Sequence, residues 1–319
     1  MEHYLIAMAV TAGIYAILAL GTNVIWGMAG MVNLGLVGFF AVGAYTSALL
    51  TLKLGWPIWA GIIAAIAVTS LIGVIVALVT VNLRGDYLAI VTLGFAETMR
   101  IVMSNEIWLA NGTDGLSGIP GPMRGTLGPH AFNLLYLGIV VGIVIVLFVL
   151  AERLAHSPFG RALRGIRDDE QIVQVAGKNV TMLKVKAFAF GTGALGLGGA
   201  LYGHFTSYIA PDLFAPLLTL YVKLALLAGG LGNNRGAVVG AIVVVTFLES
   251  TRFVTPLIPF ISAVQGAALR EILIAALLLV ILRFYSKGLV PETIQQPVLP
   301  GASQTTRASR AAEIDNVKA

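Results

Sequence analysis

"YLIAMAVTAGIYAILALGTNVIW", residues Tyr4–Trp26, contains no formally charged side chain. An α-helix needs about 20 apolar residues to cross a hydrocarbon core about 30 Å thick, and this run meets that length. A barrel strand would alternate over about ten residues, whereas both faces of this run are apolar, so the reading is helix and not β-barrel. Outward from it, no Asp, Glu, Lys or Arg occurs between Glu2 and Lys53, and comparable runs recur along the chain. Across all 319 residues, 11% are charged and 58% hydrophobic, with a mean hydropathy of +0.91. That usage excludes a pair of soluble domains. The fold class is all-α, a polytopic integral membrane helix bundle. The N-terminal MEHYLIAMAV lacks a basic n-region and its apolar run is too long for a signal-peptide core, so it reads as an uncleaved first helix. With no cysteine, neither a disulfide nor a thiol-ligated metal is available.

Apolar periodicity predicts helices over Tyr4–Trp26, Met31–Leu52, Trp56–Val81, Tyr87–Met103, Phe132–Leu150, Lys186–Ser207, Leu217–Leu231, Gly236–Phe253 and Ala263–Leu282, about nine with a range of 8–10. Lys and Arg set the orientation. Glu152–Lys186 holds seven of the 20 basic residues, which marks that loop as cytoplasmic. Alternation then places Arg84, Arg235 and the tail (Arg283, Lys287, Arg307, Arg310, Lys318) inside, 14 against six elsewhere (Lys53, Arg100, Arg124, Lys223, Arg252, Arg270). The expectation is an N-terminus outside and a C-terminus inside, with the net charge of +5 explained by loop asymmetry. Residues 1–291 form a transmembrane domain with a cytoplasmic loop at 151–186 and an external loop at 104–131, the latter dense in Gly, Pro, Asn and Asp. Residues 292–319, poor in apolar periodicity, read as a mobile cytoplasmic tail.

Most of the 37 glycines fall inside apolar segments, including Gly138-x3-Gly142, Gly199-x3-Gly203, Gly232-x3-Gly236 and Gly236-x3-Gly240. Such spacing lets helix backbones approach where lipid provides no hydrophobic drive for association. Gly199, Gly203, Gly232, Gly236 and Gly240 are therefore expected at helix contacts, and the same stretches could also permit sliding or local unwinding.

"SPFGRALRGIRDDEQIVQVAG", Ser157–Gly177, is the polar exception. Ser157-Pro158 supplies an N-cap and a proline at the first helical position, and Phe159, Ala162, Leu163 and Ile166 recur at helical spacing while Arg161, Arg164 and Arg167 form another face. Asp168-Asp169-Glu170 can cap a second short helix that ends at Gly177. A topology signal or lipid contact needs only positive charge. The caps and apolar stripe point instead to a docking element for a cytoplasmic partner.

The chain resembles the LivM-type permeases of branched-chain amino-acid ABC importers from about Ile14 to Val290. The resemblance is carried by "LALGTNVIWGMAGMVNLGLVGFFAVGAYTSALL" (Leu18–Leu50), "LRGDYLAIVTLGFAETMRIV" (Leu83–Val102), "NGTDGLSGIPG" (Asn111–Gly121), "SPFGRALRGIRDDE" (Ser157–Glu170), "GALYGHFTSYIAP" (Gly199–Pro211) and "GGLGNNRGAVVGA" (Gly229–Ala241). It implies a LivH-like permease partner, two ATPase subunits and an external solute-binding protein, in the cytoplasmic membrane of a bacterium or archaeon. It also implies that Arg161, Arg164, Arg167, Asp168, Asp169, Glu170 and Gly177 belong to the segment seated on an ATPase. Many ABC importers carry Glu-Ala-Ala followed by Gly there; this chain has Glu170-Gln171-Ile172 followed by Gly177. No G-x-x-x-x-G-K-[ST] occurs, so this chain is expected to bind no cofactor, with ATP and magnesium on partner subunits.

Charges inside a membrane helix cost roughly 2.5–3.5 kcal/mol each on insertion scales, so they are candidates for the translocation path or for pairing. Asn33, Glu97, Arg100, His204 and Lys223 are the path candidates. Glu97 and Arg100 can pair on one face, and His204 reads as a hydrogen-bonded helix-end residue and not as a base. No metal site, His-Glu-x-x-His or G-x-S-x-G is present. A secondary carrier would show ionisable residues on several helices, and a membrane enzyme a polar cluster at one face. Branched-chain amino acids are the implied substrate, with other amino acids, urea or short amides as alternatives.

Overall fold

The computed structural model describes residues 2–81, 83, 85–254, 263–284 and 288–292. Arg84, Lys287 and residues 293–319 of the predicted tail lie outside them, as does the side chain of Arg270.

Helix α1 (Glu2–Thr22) passes into a π-helical turn, Asn23–Met28. After a non-helical segment the chain continues through α2 (Leu36–Lys53), α3 (Ile58–Thr80) and α4 (Gly85–Asn105). The loop that follows holds a single helical turn, α5 (Ile107–Ala110), and a two-residue strand, β1 (Leu116–Ser117). Then come α6 (Pro129–His156), the short pair α7 (Pro158–Asp168) and α8 (Glu170–Val175), and α9 (Val180–Thr206). Strand β2 (Tyr208–Ile209) pairs antiparallel with β1, Leu116 opposite Ile209. Helices α10 (Pro216–Gly229), α11 (Asn234–Val254) and α12 (Ala263–Phe284) complete the described chain.

Each of the nine predicted apolar segments falls on a helix, and among the described residues six helices are long and apolar enough to cross a membrane: α1 with its π turn, α2, α3, α4, α6 and α9. The all-α, polytopic membrane fold follows. Boundaries moved where side chains compete for backbone groups. The segment predicted from Met31 becomes helical only at Leu36, because Asn33 Oδ1 accepts from Gly35 N at 2.7 Å and Thr92 Oγ1 from Leu34 N at 3.0 Å. The segment predicted from Lys186 starts earlier, because Asn179 caps α9 by accepting from Met182 N at 3.0 Å.

Helix α9 is the centre of the bundle, packed on α1, α2 and α3. Its Gly199 lies directly against Phe40 O of α2, and its Gly196 against Gly43, approaches that a Cβ would block. Helices α10 and α11 meet likewise through Gly229, Gly236 and Gly240. Large aliphatics on α3 (Leu71, Ile75, Val79) and α6 (Ile145, Val146) face outward, as a lipid-facing surface requires.

Two ends of the bundle differ in chemistry. At one end, Lys53 Nζ donates to the carbonyls of Trp108 and Leu109 at 2.6 and 3.0 Å, and the β1–β2 ribbon packs at the end of α9. At the other end lie α7 and α8, the segment after the π turn, the turn between α10 and α11, and residues 288–292.

Candidate functional site

The polar elbow forms as its caps dictate. Ser157 Oγ accepts from Gly160 N at 3.2 Å with Pro158 at the first helical position, and Asp169 Oδ1 accepts from Gln171 N and Ile172 N at 2.8 and 3.3 Å. Gly177 ends α8 with φ of +75°. Leu163, Ile166 and Val173 are buried against the bundle. Ile172 and Val175 point away from it, 66% and 90% exposed. That leaves an apolar pair at the tip of an otherwise polar element.

The arginines do not form one outward face. Arg161 is exposed and bonds to His156 O at 3.0 Å. Arg164 turns back to Ala155 O at 2.9 Å, and Arg167 Nη1 reaches Gly27 O of the π turn at 2.6 Å. Both also approach Glu292, at 3.9 Å from Arg164 and 2.9 Å from Arg167. Glu170 is likewise committed inward, paired with the buried Lys184 at 2.6 Å. Arg164, Arg167 and Glu170 thus turn toward the bundle end, where carbonyls and charged side chains lie within their reach, and only Arg161 of the three arginines stays exposed. Asp168, Asp169 and Gly177 are exposed. A polar cavity of about 470 Å³ lies between the elbow and the bundle, lined among others by Gly30, Leu83, Gly85, Arg167, Gln171 and Lys184.

Behind the elbow a buried amide network joins three segments. Asn23 Nδ2 donates to Asn234 Oδ1 at 3.0 Å, Asn23 Oδ1 accepts from Gly232 N at 2.9 Å, and Asn234 Nδ2 donates to Glu152 Oε2 at 2.9 Å. Gly232, expected at a helix contact, lies instead in the turn between α10 and α11 with φ of +86°. A Cβ at Gly203 would make only ordinary contacts, the nearest Ile209 Cγ2 of β2 at 3.5 Å. A Cβ at Gly138 or Gly142 would meet nothing within 4 Å, since α6 leans away from α3 and α9 there and leaves an apolar crevice.

The path candidates are scattered. Asn33 is buried and spends its carboxamide oxygen on Gly35 N. Glu97 and Arg100 pair on α4 at 2.9 Å, each side chain about one-third exposed. Lys223, buried in α10, holds its ammonium 4.8 Å from the centroid of the Trp26 ring in the π turn. His204 sits at the opposite end, bonded through Nε2 to Ser47 Oγ and through Nδ1 to Pro120 O, both at 2.7 Å. With both ring nitrogens committed it is a strut between α9, α2 and the 104–131 loop. Beside it Arg124 donates to Phe205 O and Ser207 Oγ and covers the Phe132 ring at 4.3 Å. Sequence reasoning missed Asn23, Asn234, Arg124 and Glu292. An asparagine inside the uncharged run at Tyr4–Trp26 was the available signal for the first. Among the described residues, no group of three or more His, Cys, Asp or Glu is arranged to hold a metal ion.

A bundle of long apolar helices, interrupted by a π turn and carrying a capped amphipathic elbow at one end, defines a polytopic membrane protein of the transport-permease class. The family described as "Branched-chain amino acid transport system / permease component" matches residues 4–282, and the chain belongs to it. It is 30% identical over 262 residues to the high-affinity branched-chain amino acid permease protein LivM of Salmonella typhimurium and to that of Escherichia coli, covering 75% of this chain and 61% of each relative. It thus spans less than two thirds of those two proteins. The probable LivM of Methanocaldococcus jannaschii is 28% identical, with 88% of this chain and 91% of that one covered. Escherichia coli LivH is 25% identical over 244 residues, covering 72% of this chain and 79% of that one, so this chain is more similar to LivM than to LivH of the same organism. No solved structure matches the chain.

Proposed function

We propose that this chain is the LivM-like permease half of an ATP-driven importer for branched-chain amino acids, sharing the path with a LivH-like chain in a bacterial or archaeal cytoplasmic membrane. Two ATPase subunits, which carry ATP and magnesium, and an external solute-binding protein complete the assembly. Residues 1–291 form the transmembrane domain, crossing nine times with the N-terminus outside and the C-terminus and the 292–319 tail inside. The elbow and residues 288–292 at one end, with the 104–131 loop at the other, fit that alternation.

The observation that carries the proposal is the exposed pair Ile172 and Val175 on an elbow whose Arg164 and Arg167 are anchored in the bundle. A solvated loop gains nothing from two exposed aliphatics at the end of a capped helix, whereas an ATPase groove would bury them. Arg161, Asp168, Asp169 and Gly177 complete that face. Arg164, Arg167 and Glu170 belong to coupling through the bundle side. Closure of the ATPases would then move the elbow and shift the bundle between two accessible states. Along the path, Lys223 and Asn33 lie near the π turn, with Glu97 and Arg100 on α4 and His204 at the outer end.

The test is purification in mild detergent followed by mass spectrometry of copurifying chains and ATP-driven uptake of leucine, isoleucine and valine in vesicles. Two ATPases and a second permease, with uptake that requires ATP, are expected. A lone chain that moves solute without ATP would overturn the proposal in favour of a secondary carrier. Uptake of urea or short amides in place of these amino acids would correct the substrate alone.

A further inference from the structure

Two arginines of α7 reach the carboxylate of Glu292, and one of them also reaches the π turn. Arg167 Nη1 lies 2.9 Å from Glu292 Oε2 and donates at 2.6 Å to Gly27 O, the π turn of α1. Arg164 Nη1 stands 3.9 Å from Glu292 Oε1. Glu292 does not arrive there on a loose tail. Leu289 N and Val290 N donate to Ala228 O and Gly229 O at the end of α10, both at 2.8 Å, and Asn233 Nδ2 donates to Val290 O and Pro291 O at 3.2 and 3.1 Å. These bonds satisfy carbonyls that a helix end otherwise leaves open, and they fix the strap before its side chain is placed.

The surrounding turns leave room for the pair. At Gly232 (φ +86°) a Cβ would stand 2.6 Å from Glu292 Oε2 and 3.0 Å from Arg167 Nη1, and at Gly30 (φ +71°) it would stand 3.0 Å from Arg167 Cγ. A side chain at Gly232 would displace the ion pair, one at Gly30 would crowd the stem of Arg167, and either would strain the backbone. Side-chain exposure of Arg167 is 21% and of Glu292 16%, so solvent screens their attraction less than at an open surface. The buried apolar residues of α7 hold it against the bundle without fixing direction. A charged fork bonded to a carbonyl and a carboxylate adds direction.

We propose that Glu292 is a positioning residue of the coupling elbow. Its carboxylate clamps Arg164 and Arg167, so that displacement of α7 pulls together on the π turn of α1, the α10–α11 turn and the end of α10. The inference rests on the reading of the chain as an importer permease, and it assigns a role in coupling to a side chain beyond the last membrane helix.

The experiment compares wild type, Glu292→Gln and Glu292→Asp in the purified transporter with its ATPases. It measures copurified ATPase, ATP hydrolysed per solute taken up, and amide hydrogen exchange. Glu292→Gln is expected to retain its ATPases, hydrolyse several-fold more ATP per solute, and exchange about tenfold faster at residues 157–177 and 229–234, the effect of weakening hydrogen bonds to a charged group. Glu292→Asp, which keeps the charge, should recover most of both. Wild-type exchange and wild-type ATP use in Glu292→Gln would overturn the clamp, as would equal impairment of Gln and Asp variants. Were wild type to purify without ATPases, the importer reading would fail on that measurement, while amide exchange in the lone chain would still decide whether the carboxylate holds the elbow.

Discussion

Asn23 and Asn234, 211 residues apart in sequence, meet through a 3.0 Å side-chain hydrogen bond with both residues almost wholly buried. The contact ties the kink of α1 to the first residue of α11, and the same Asn23 oxygen holds the Gly232 amide. Replacing Asn23 by Ala would leave a buried N–H and a buried carboxamide oxygen unsatisfied, at about 1–3 kcal/mol each. Asn23→Ala should lower the thermal transition of the detergent-solubilised protein by several degrees. An unchanged transition would show that water takes over both groups.

Glycine substitutions should separate into two groups by position and not by motif. Gly199→Ala and Gly240→Ala drive a methyl into Phe40 O and Ala225 O, backbone atoms that cannot yield without parting the helices. Both should sharply reduce the yield of monodisperse protein. Gly138→Ala and Gly142→Ala place theirs in open space and should be neutral, or stabilising by up to about 1 kcal/mol through helix propensity. Size-exclusion profiles and thermal transitions of the four variants decide it; equal damage from both groups would refute the assigned packing.

The same contrast explains what could be read in the sequence. Long apolar runs dictate helices whatever their neighbours, so every predicted segment falls on one. The caps at Ser157 and Asp169 are local chemistry, and the elbow follows from adjacent residues alone. Gly138-x3-Gly142 and Gly236-x3-Gly240 are indistinguishable as patterns, and only the course of a second helix decides which is filled. The inward turn of Arg164, Arg167 and Glu170 depends on Ala155, Gly27, Glu292 and Lys184, partners that periodicity does not connect.

At the tip of the elbow, Ile172→Glu and Val175→Glu should release the ATPases while leaving the chain folded. Both side chains are exposed and neither supports the bundle, in contrast to Val173 between them. A charge placed in an interface that would desolvate it costs several kcal/mol, enough to reduce binding more than a hundredfold. Copurified ATPase should fall to background with thermal stability unchanged. Retained ATPase in both variants would place the contact elsewhere on the loop.

Lys223 offers the sharpest separation of stability from transport. Its side chain is buried in α10, its ammonium rests on the Trp26 ring, and among the described residues no carboxylate lies within ion-pair distance. A charge at mid-helix costs roughly 2.5–3.5 kcal/mol, of which a desolvated cation–π contact returns about 2. For folding alone, then, methionine should serve as well as lysine or better. Lys223→Met is expected to keep or raise the thermal transition while uptake falls, chiefly through a higher KM if the ammonium meets the carboxylate of a passing amino acid. Lys223→Arg, which retains the charge and the ring contact, should keep most of the uptake. A Lys223→Met variant that transports with wild-type kcat and KM would make the Trp26 contact purely structural, and the path would have to run along other groups.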